Sequence, residues 1–163
     1  MSPLLLTTIL WIHLFFAIIF IGGSFFIWFA LWPASFEMTS DEKQRTMIVG
    51  LASKRFARIT NISVGALIIT GLLLAYGMFS QDPGLLSTGA GAVLLIKSLL
   101  VAAAIGIMYY NNLTHPKKIV RFLAEGKKGD VDKIRRRAHF LSYLTLALLV
   151  LVTVFGAVLV GYY

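Results

Sequence analysis

Four stretches of this chain are apolar for about twenty residues or more, and that length leaves few folds open to it. They run from about residues 3 to 31, 56 to 79, 90 to 112 and 139 to 162. At a rise of about 1.5 Å per residue, each crosses the roughly 30 Å hydrocarbon core of a bilayer as a helix. Helix is the required form. Four spans are too few to close a barrel, and lipid offers no partner for an unsatisfied backbone group. Composition agrees: 58% of the 163 residues are hydrophobic and 13% are charged. The charged share is well below the roughly 25% of a globular domain, and a soluble fold of this length cannot hide so much apolar surface. The expectation is an all-α membrane protein, one domain over residues 1–163, arranged as a four-transmembrane-helix bundle. The N-terminus has no basic stretch and no small-residue cleavage site, so it reads as a first span and not as a removable signal.

Charge placement orients the spans. The formal net charge is +8. The segment after span 1 holds Lys43, Arg45, Lys54 and Arg55 against Glu37, Asp41 and Glu42. The segment after span 3 is more basic, with Lys117, Lys118, Arg121, Lys127, Lys128, Lys133, Arg135, Arg136 and Arg137 against Glu125, Asp130 and Asp132. Between spans 2 and 3 stands Asp82, with no Lys or Arg. The positive-inside rule then predicts two long cytoplasmic loops and both termini outside, in a multi-pass protein of the plasma membrane. Trp11, Tyr76, Tyr162 and Tyr163 fall towards the outer interface, and Trp32 and Phe36 towards the inner one. The basic charge suits anionic lipid headgroups and not nucleic acid. Each long loop reads either as a solvated connector or as a short amphipathic helix. The helical segments would be Asp41 to Lys54, after the start signal Ser40-Asp41-Glu42, and Pro116 to Glu125, ended by Gly126 and Gly129.

Polar residues inside the spans are costly and so carry the functional signal. Helical spacing puts Lys97, Val101, Ala104, Met108, Asn111 and His115 on one face of span 3. His13 shares a face of span 1 with Ala17, Phe20 and Ser24. Arg58, Asn61, Gly65, Leu72 and Tyr76 share one on span 2. His139, Tyr143, Leu146, Val150, Thr153 and Ala157 share one on span 4. His13 lies roughly 15 Å into span 1 from the outer side, and Lys97 roughly 10 Å into span 3. The two therefore have matched depth in the outer half, while His115 and His139 fall at the opposite ends of their spans.

Neutral imidazole is the commonest protein donor to metals and haem. His13 is thus a candidate axial ligand or proton relay, against a plain hydrogen bond to Ser24, Asn61 or a backbone carbonyl. Lys97 is a candidate second ligand or partner for an anionic group, against snorkelling to the headgroups. Arg58, Asn61 and Tyr76 are candidates for the pocket wall. His115 and His139 are candidates for a second centre or an anion contact, against interfacial surface positions. There are no cysteines, so disulfides, thiolate sites and iron–sulfur clusters are excluded. There is no Glu-x-x-His pair for a di-iron bundle. Met78 and Met108 offer thioethers for copper.

Several segments resemble the CopD-type membrane domain. They are Ile12-His13-Leu14 with Gly22-Gly23, Arg55-Phe56-Ala57-Arg58, Thr70-Gly71, and Gly89 followed by Leu94-Leu95-Ile96-Lys97. The layout is also similar to HemJ-type protoporphyrinogen oxidases, four-span proteins with a first-span His, a third-span Lys and a basic segment before the last span. This chain departs from that second pattern after Gly23, where Trp32-Pro33-Ala34 replaces an expected arginine and histidine. The first resemblance implies copper handling, the second b-type haem. The main expectation is a b-type haem protein of redox or electron-transfer function, with an unknown redox partner. In that reading His13 is the metal ligand and Lys97 the second ligand or a near neighbour. The alternative is copper transport or resistance through His13, Met78 and Met108. Homo-oligomerisation is open under either.

Overall fold

The structure, a computed structural model, describes residues 2–162. Their regular structure is entirely helical, and four of the helical segments are long and apolar enough to cross a membrane. Tyr163, expected at the outer interface, lies outside the described residues. The chain forms two compact units, Met1–Leu85 and Leu86–Tyr163, each a helical hairpin.

In the first unit, α1 (Pro3–Phe25) opens with Ser2 as cap. The Ser2 side chain accepts from the Leu5 N–H, and Pro3 stands at the first helical position, where its missing donor costs nothing. The helix widens into a π turn over Phe26–Leu31 and continues as α2 (Trp32–Met38). Pro33 explains the widening. It has no N–H for the carbonyl four residues back, and the Trp32 N–H reaches five back, to Ile27. Thr39 breaks the helix in an extended conformation. Its hydroxyl accepts from the Asp41 N–H at 3.1 Å and donates to Gln44 Oε1 at 3.0 Å, which turns the chain into α3 (Glu42–Gln81).

The two helical rods run antiparallel, and three glycines set their approach. A methyl on Gly77 would strike Leu6, one on Gly23 would strike the Phe56 ring, and one on Gly71 would touch His13. Small residues where backbones meet are how helices pack when lipid removes the hydrophobic drive between them. The inner face of α3 carries Thr60, Ser63, Val64, Thr70 and Gly77.

In the second unit, α4 (Gly89–Ala124) starts at Thr88, whose hydroxyl accepts from the Gly91 N–H. It ends at Gly126, whose φ of 72° places it in the left-handed region. The Lys127 N–H closes the end on the Phe122 carbonyl. Then α5 (Lys128–Val160) runs back along α4.

Of the two readings of the long loops, the structure takes the helical one, as continuations of the spans and not as separate short helices. The break between α2 and α3 spans only residues 39–41, and that between α4 and α5 only 125–127. Hydropathy marks the part of a helix that suits lipid and not where the helix stops. The basic segments continue the same helices past the apolar part, with Pro116 inside α4 and Gly129 inside α5. Only Gly126 acts as the stop expected of the two glycines. Within the most apolar window of each span only 11–22% of residues are buried. The rest, including Leu4, Trp11, Ile18, Phe29, Ile69 and Leu99, form the kind of surface that hydrocarbon and not water accommodates.

Candidate functional site

His13 is held by α3. Its Nδ1 lies 2.7 Å from Thr70 Oγ1, and Thr70 Oγ1 lies 2.6 Å from the Ala66 carbonyl. A hydroxyl has one proton, and a carbonyl can only accept. The Thr70 hydroxyl therefore donates to Ala66 and accepts from His13. That makes Nδ1 the protonated nitrogen and leaves the lone pair on Nε2. A second-shell bond of this type sets the tautomer in metal-binding histidines. Gly71 supplies the room, since a Cβ there would stand 3.4 Å from the ring at Cε1.

Neither of the side-chain partners expected for His13 accounts for this clamp. Ser24 donates to its own helix at Phe20. Asn61 is exposed on α3, as are Arg58, Leu72 and Tyr76. The face proposed for span 2 is thus the outer one, and the inner face lies a fraction of a turn away, on Thr60, Ser63 and Thr70. In the sequence the signal of this face is small hydroxyl residues at helical spacing, beside a second stripe of bulkier polar groups. Arg58, Asn61 and Tyr76 therefore do not share the Thr70 face of α3. The face predicted for span 1 is the buried one: Phe20 is 4% exposed and His13, Ala17 and Ser24 are half-buried.

Lys97 lies on the inner face of α4. Its ammonium stands 3.3 Å from where a Gly156 Cβ would be, so the side chain crosses the bare backbone of α5. A protonated amine has three donors and no lone pair. It is placed to meet an anion or a carbonyl, and it ligates a metal only after losing its proton.

Further along the same face, Ala104, Met108, Asn111 and His115 are all buried, as helical spacing predicts. Asn111 ties α4 to α5. Its Nδ2 donates to the Ala138 carbonyl at 3.0 Å and to Ser142 Oγ at 2.9 Å. This bond sets which side of α5 faces inwards. Thr145, Leu146 and Leu149 are buried, while Tyr143, Val150, Thr153 and Ala157 are exposed. The stripe predicted for span 4 is therefore offset from the observed one, with Leu146 common to both. His139 follows Ala138 directly and is half-buried. His115 is 3% exposed. Its Nδ1 lies 3.3 Å from both the Asn111 carbonyl and Thr114 Oγ1, and the Thr114 hydroxyl donates to the Tyr110 carbonyl. Both neighbours of Nδ1 are acceptors, so this ring also keeps its proton on Nδ1 and its lone pair on Nε2.

Among the described residues no three of His, Asp and Glu converge as a metal cluster. What the chain offers is single imidazoles of set tautomer, together with thioethers and amides. Donors of this kind suit soft or borderline ions. Among known protein families, that of copper resistance protein D matches residues 50–160, about two thirds of the chain. The match takes in most of α3 and all of α4 and α5, and it leaves out α1 with His13. Neither the curated proteins nor the solved structures contain a match to the chain.

Proposed function

Because the chain belongs to the copper resistance protein D family, we propose that it handles copper as cargo, as a multi-pass membrane protein. The family match carries this reading. It speaks for copper, the alternative drawn from the sequence. Haem b, with His13 and Lys97 as axial ligands, draws no support from it.

The chemistry of the side chains is consistent with such a cargo. Copper(I) favours thioether and imidazole donors, and this chain has both but no thiolate. His13, oriented by Thr70 through Nδ1, is the imidazole of the first unit. Met78 lies on α3 about two turns beyond Gly71, on the order of 10 Å along the axis. The two are therefore successive contacts for a moving ion and not ligands of one ion. Lys97, as an ammonium, is not a ligand in this reading.

The test is the purified full-length protein in detergent, loaded with copper(I) under reducing conditions and analysed for copper, iron and visible absorption. Copper retained through desalting, reduced in His13→Ala, supports the proposal. Iron with a Soret band, and no retained copper, overturns it in favour of haem.

A further inference from the structure

The second hairpin carries its basic charge in two tiers. Residues 113–138 hold nine Lys and Arg against three acids. The ion pairs all lie in the far tier, next to the 125–127 turn. Glu125 pairs with Arg121 at 2.8 Å and with Lys127 at 2.7 Å, and Asp130 pairs with Lys133 at 3.7 Å. The near tier, beside the apolar runs, is Lys117 and Lys118 on α4 with Arg135, Arg136 and Arg137 on α5. Among the described residues Lys117, Lys118, Arg136 and Arg137 form no ion pair. All four are exposed.

Depth separates the tiers as well. The three arginines precede the apolar run that begins near His139 by about 3–6 Å at the helical rise. Lys117 and Lys118 stand about 8–9 Å past the run that ends near Asn112, and their long side chains reach back towards the interface. The headgroup layer is about 5–8 Å deep on each side of a bilayer, so the near tier falls within its reach. The far tier, about 9–18 Å out, falls in water. The near tier also stands on packed helix. His115 and Val131 are buried, and Ile119, Phe122 and Ile134 are half-buried, so the inner seam continues through it.

Unpaired cations at headgroup depth suit phosphate. A guanidinium offers it two parallel donors and an ammonium a point charge. The carboxylates of a protein partner would come from water and meet the far tier first, where the chain's own acids already pair. We propose that the near tier is a binding surface for anionic phospholipid, with Lys117, Lys118, Arg136 and Arg137 holding the phosphates. Consecutive helical residues fan out by about 100° each. The tier therefore rings the hairpin and gathers a shell of headgroups, not one molecule. The surface depends on the spans crossing a membrane and not on copper.

The test reconstitutes the full chain in nanodiscs of phosphatidylcholine with a minor share of phosphatidylglycerol. The lipids that stay on the protein are then counted by native mass spectrometry. Phosphatidylglycerol should be enriched among them, and less so as salt is raised, because the contact is electrostatic. Arg136→Gln with Arg137→Gln should cut the enrichment at least about 5-fold, the loss of one surface charge. Lys127→Gln with Lys133→Gln removes the same charge from the far tier and should leave it unchanged. The salt series needs no variant, so the test stands even if the arginine pair does not fold. Equal losses from both pairs would overturn the proposal in favour of net charge alone. No enrichment in the wild type would overturn it too, and leave the tier to an acidic protein partner or to topology. Displacement by inorganic phosphate, but not by chloride at equal ionic strength, would make the ligand a free phosphate and overturn the lipid assignment.

Discussion

The His13–Thr70–Ala66 chain shows how much one hydroxyl decides. Thr70 has a single proton, and its use on the Ala66 carbonyl forces the imidazole to donate through Nδ1. Thr70→Val keeps the shape and removes both bonds. It should cost about 1 kcal/mol of stability, and, under the copper reading, roughly 10- to 100-fold in affinity at His13. Thr70→Ser should restore both. Imidazole nitrogen shifts report the tautomer directly: wild type and Thr70→Ser should show protonated Nδ1, and Thr70→Val a mixture. An unchanged tautomer in the valine variant would show that Thr70 does not set it. On α3 the sequence offers Thr60, Ser63 and Thr70 as one of several polar stripes, and the fold makes it the inner one. The pairing of Thr70 with His13 is not legible there, because residues 57 apart in the chain meet only once the antiparallel register exists.

At the scale of elements, the hairpin turn between α4 and α5 depends on one glycine. Gly126 has a φ of 72°, where a Cβ costs about 1–2 kcal/mol. Gly126→Ala should therefore destabilise the second hairpin by about that amount. Gly129→Ala lies inside α5 with open space around it, and should be neutral or stabilising by roughly 0.5–1 kcal/mol. Titration with a denaturing detergent, followed by helicity, separates the two; equal effects would refute the assigned turn. The same turn has a pH dependence of known sign. Hydrogen bonds from Lys127 and then Arg121 hold the Glu125 carboxyl below its ordinary value of 4.5. A lowered pKa means that the stabilising contribution is full above the ordinary value and is lost as pH falls through the lowered one. Amide exchange at residues 125–127 should thus speed up only at pH below the ordinary carboxylate range, and Glu125→Gln should abolish that response. The group lies at the surface in contact with Arg121 and Lys127, so the effect stays local to the turn.

For the whole molecule, the two hairpins place the basic helical extensions at the 39–41 and 125–127 turns and the acidic Asp82 at the junction between the hairpins. The positive-inside rule predicts that the two basic turns face the cytoplasm. The chain has no cysteine, so single introduced thiols report sidedness without background. Ser40→Cys and Gly129→Cys should be protected from an impermeant reagent added outside intact cells, and Gln81→Cys should react. The reverse pattern would invert the topology.

What the sequence determined by itself was set by solvent and period. Four apolar runs of sufficient length specify four membrane helices, because lipid leaves a polypeptide no other form. Helical spacing alone located the inner face of α4, from Lys97 to His115, and of α1 at His13. The tertiary structure decided the rest. It set the inner faces of α3 and α5, where several polar stripes competed and only the glycine contacts of Gly23, Gly71 and Gly77 and the Asn111 clamp chose among them. It also decided that the basic segments are helix. Hydropathy falls where a helix leaves the hydrocarbon, but backbone hydrogen bonding continues until a residue such as Thr39 or Gly126 interrupts it. Partners distant in the chain, such as His13 with Thr70 and Asn111 with Ser142, exist only in the folded register, and local sequence carries no record of that register.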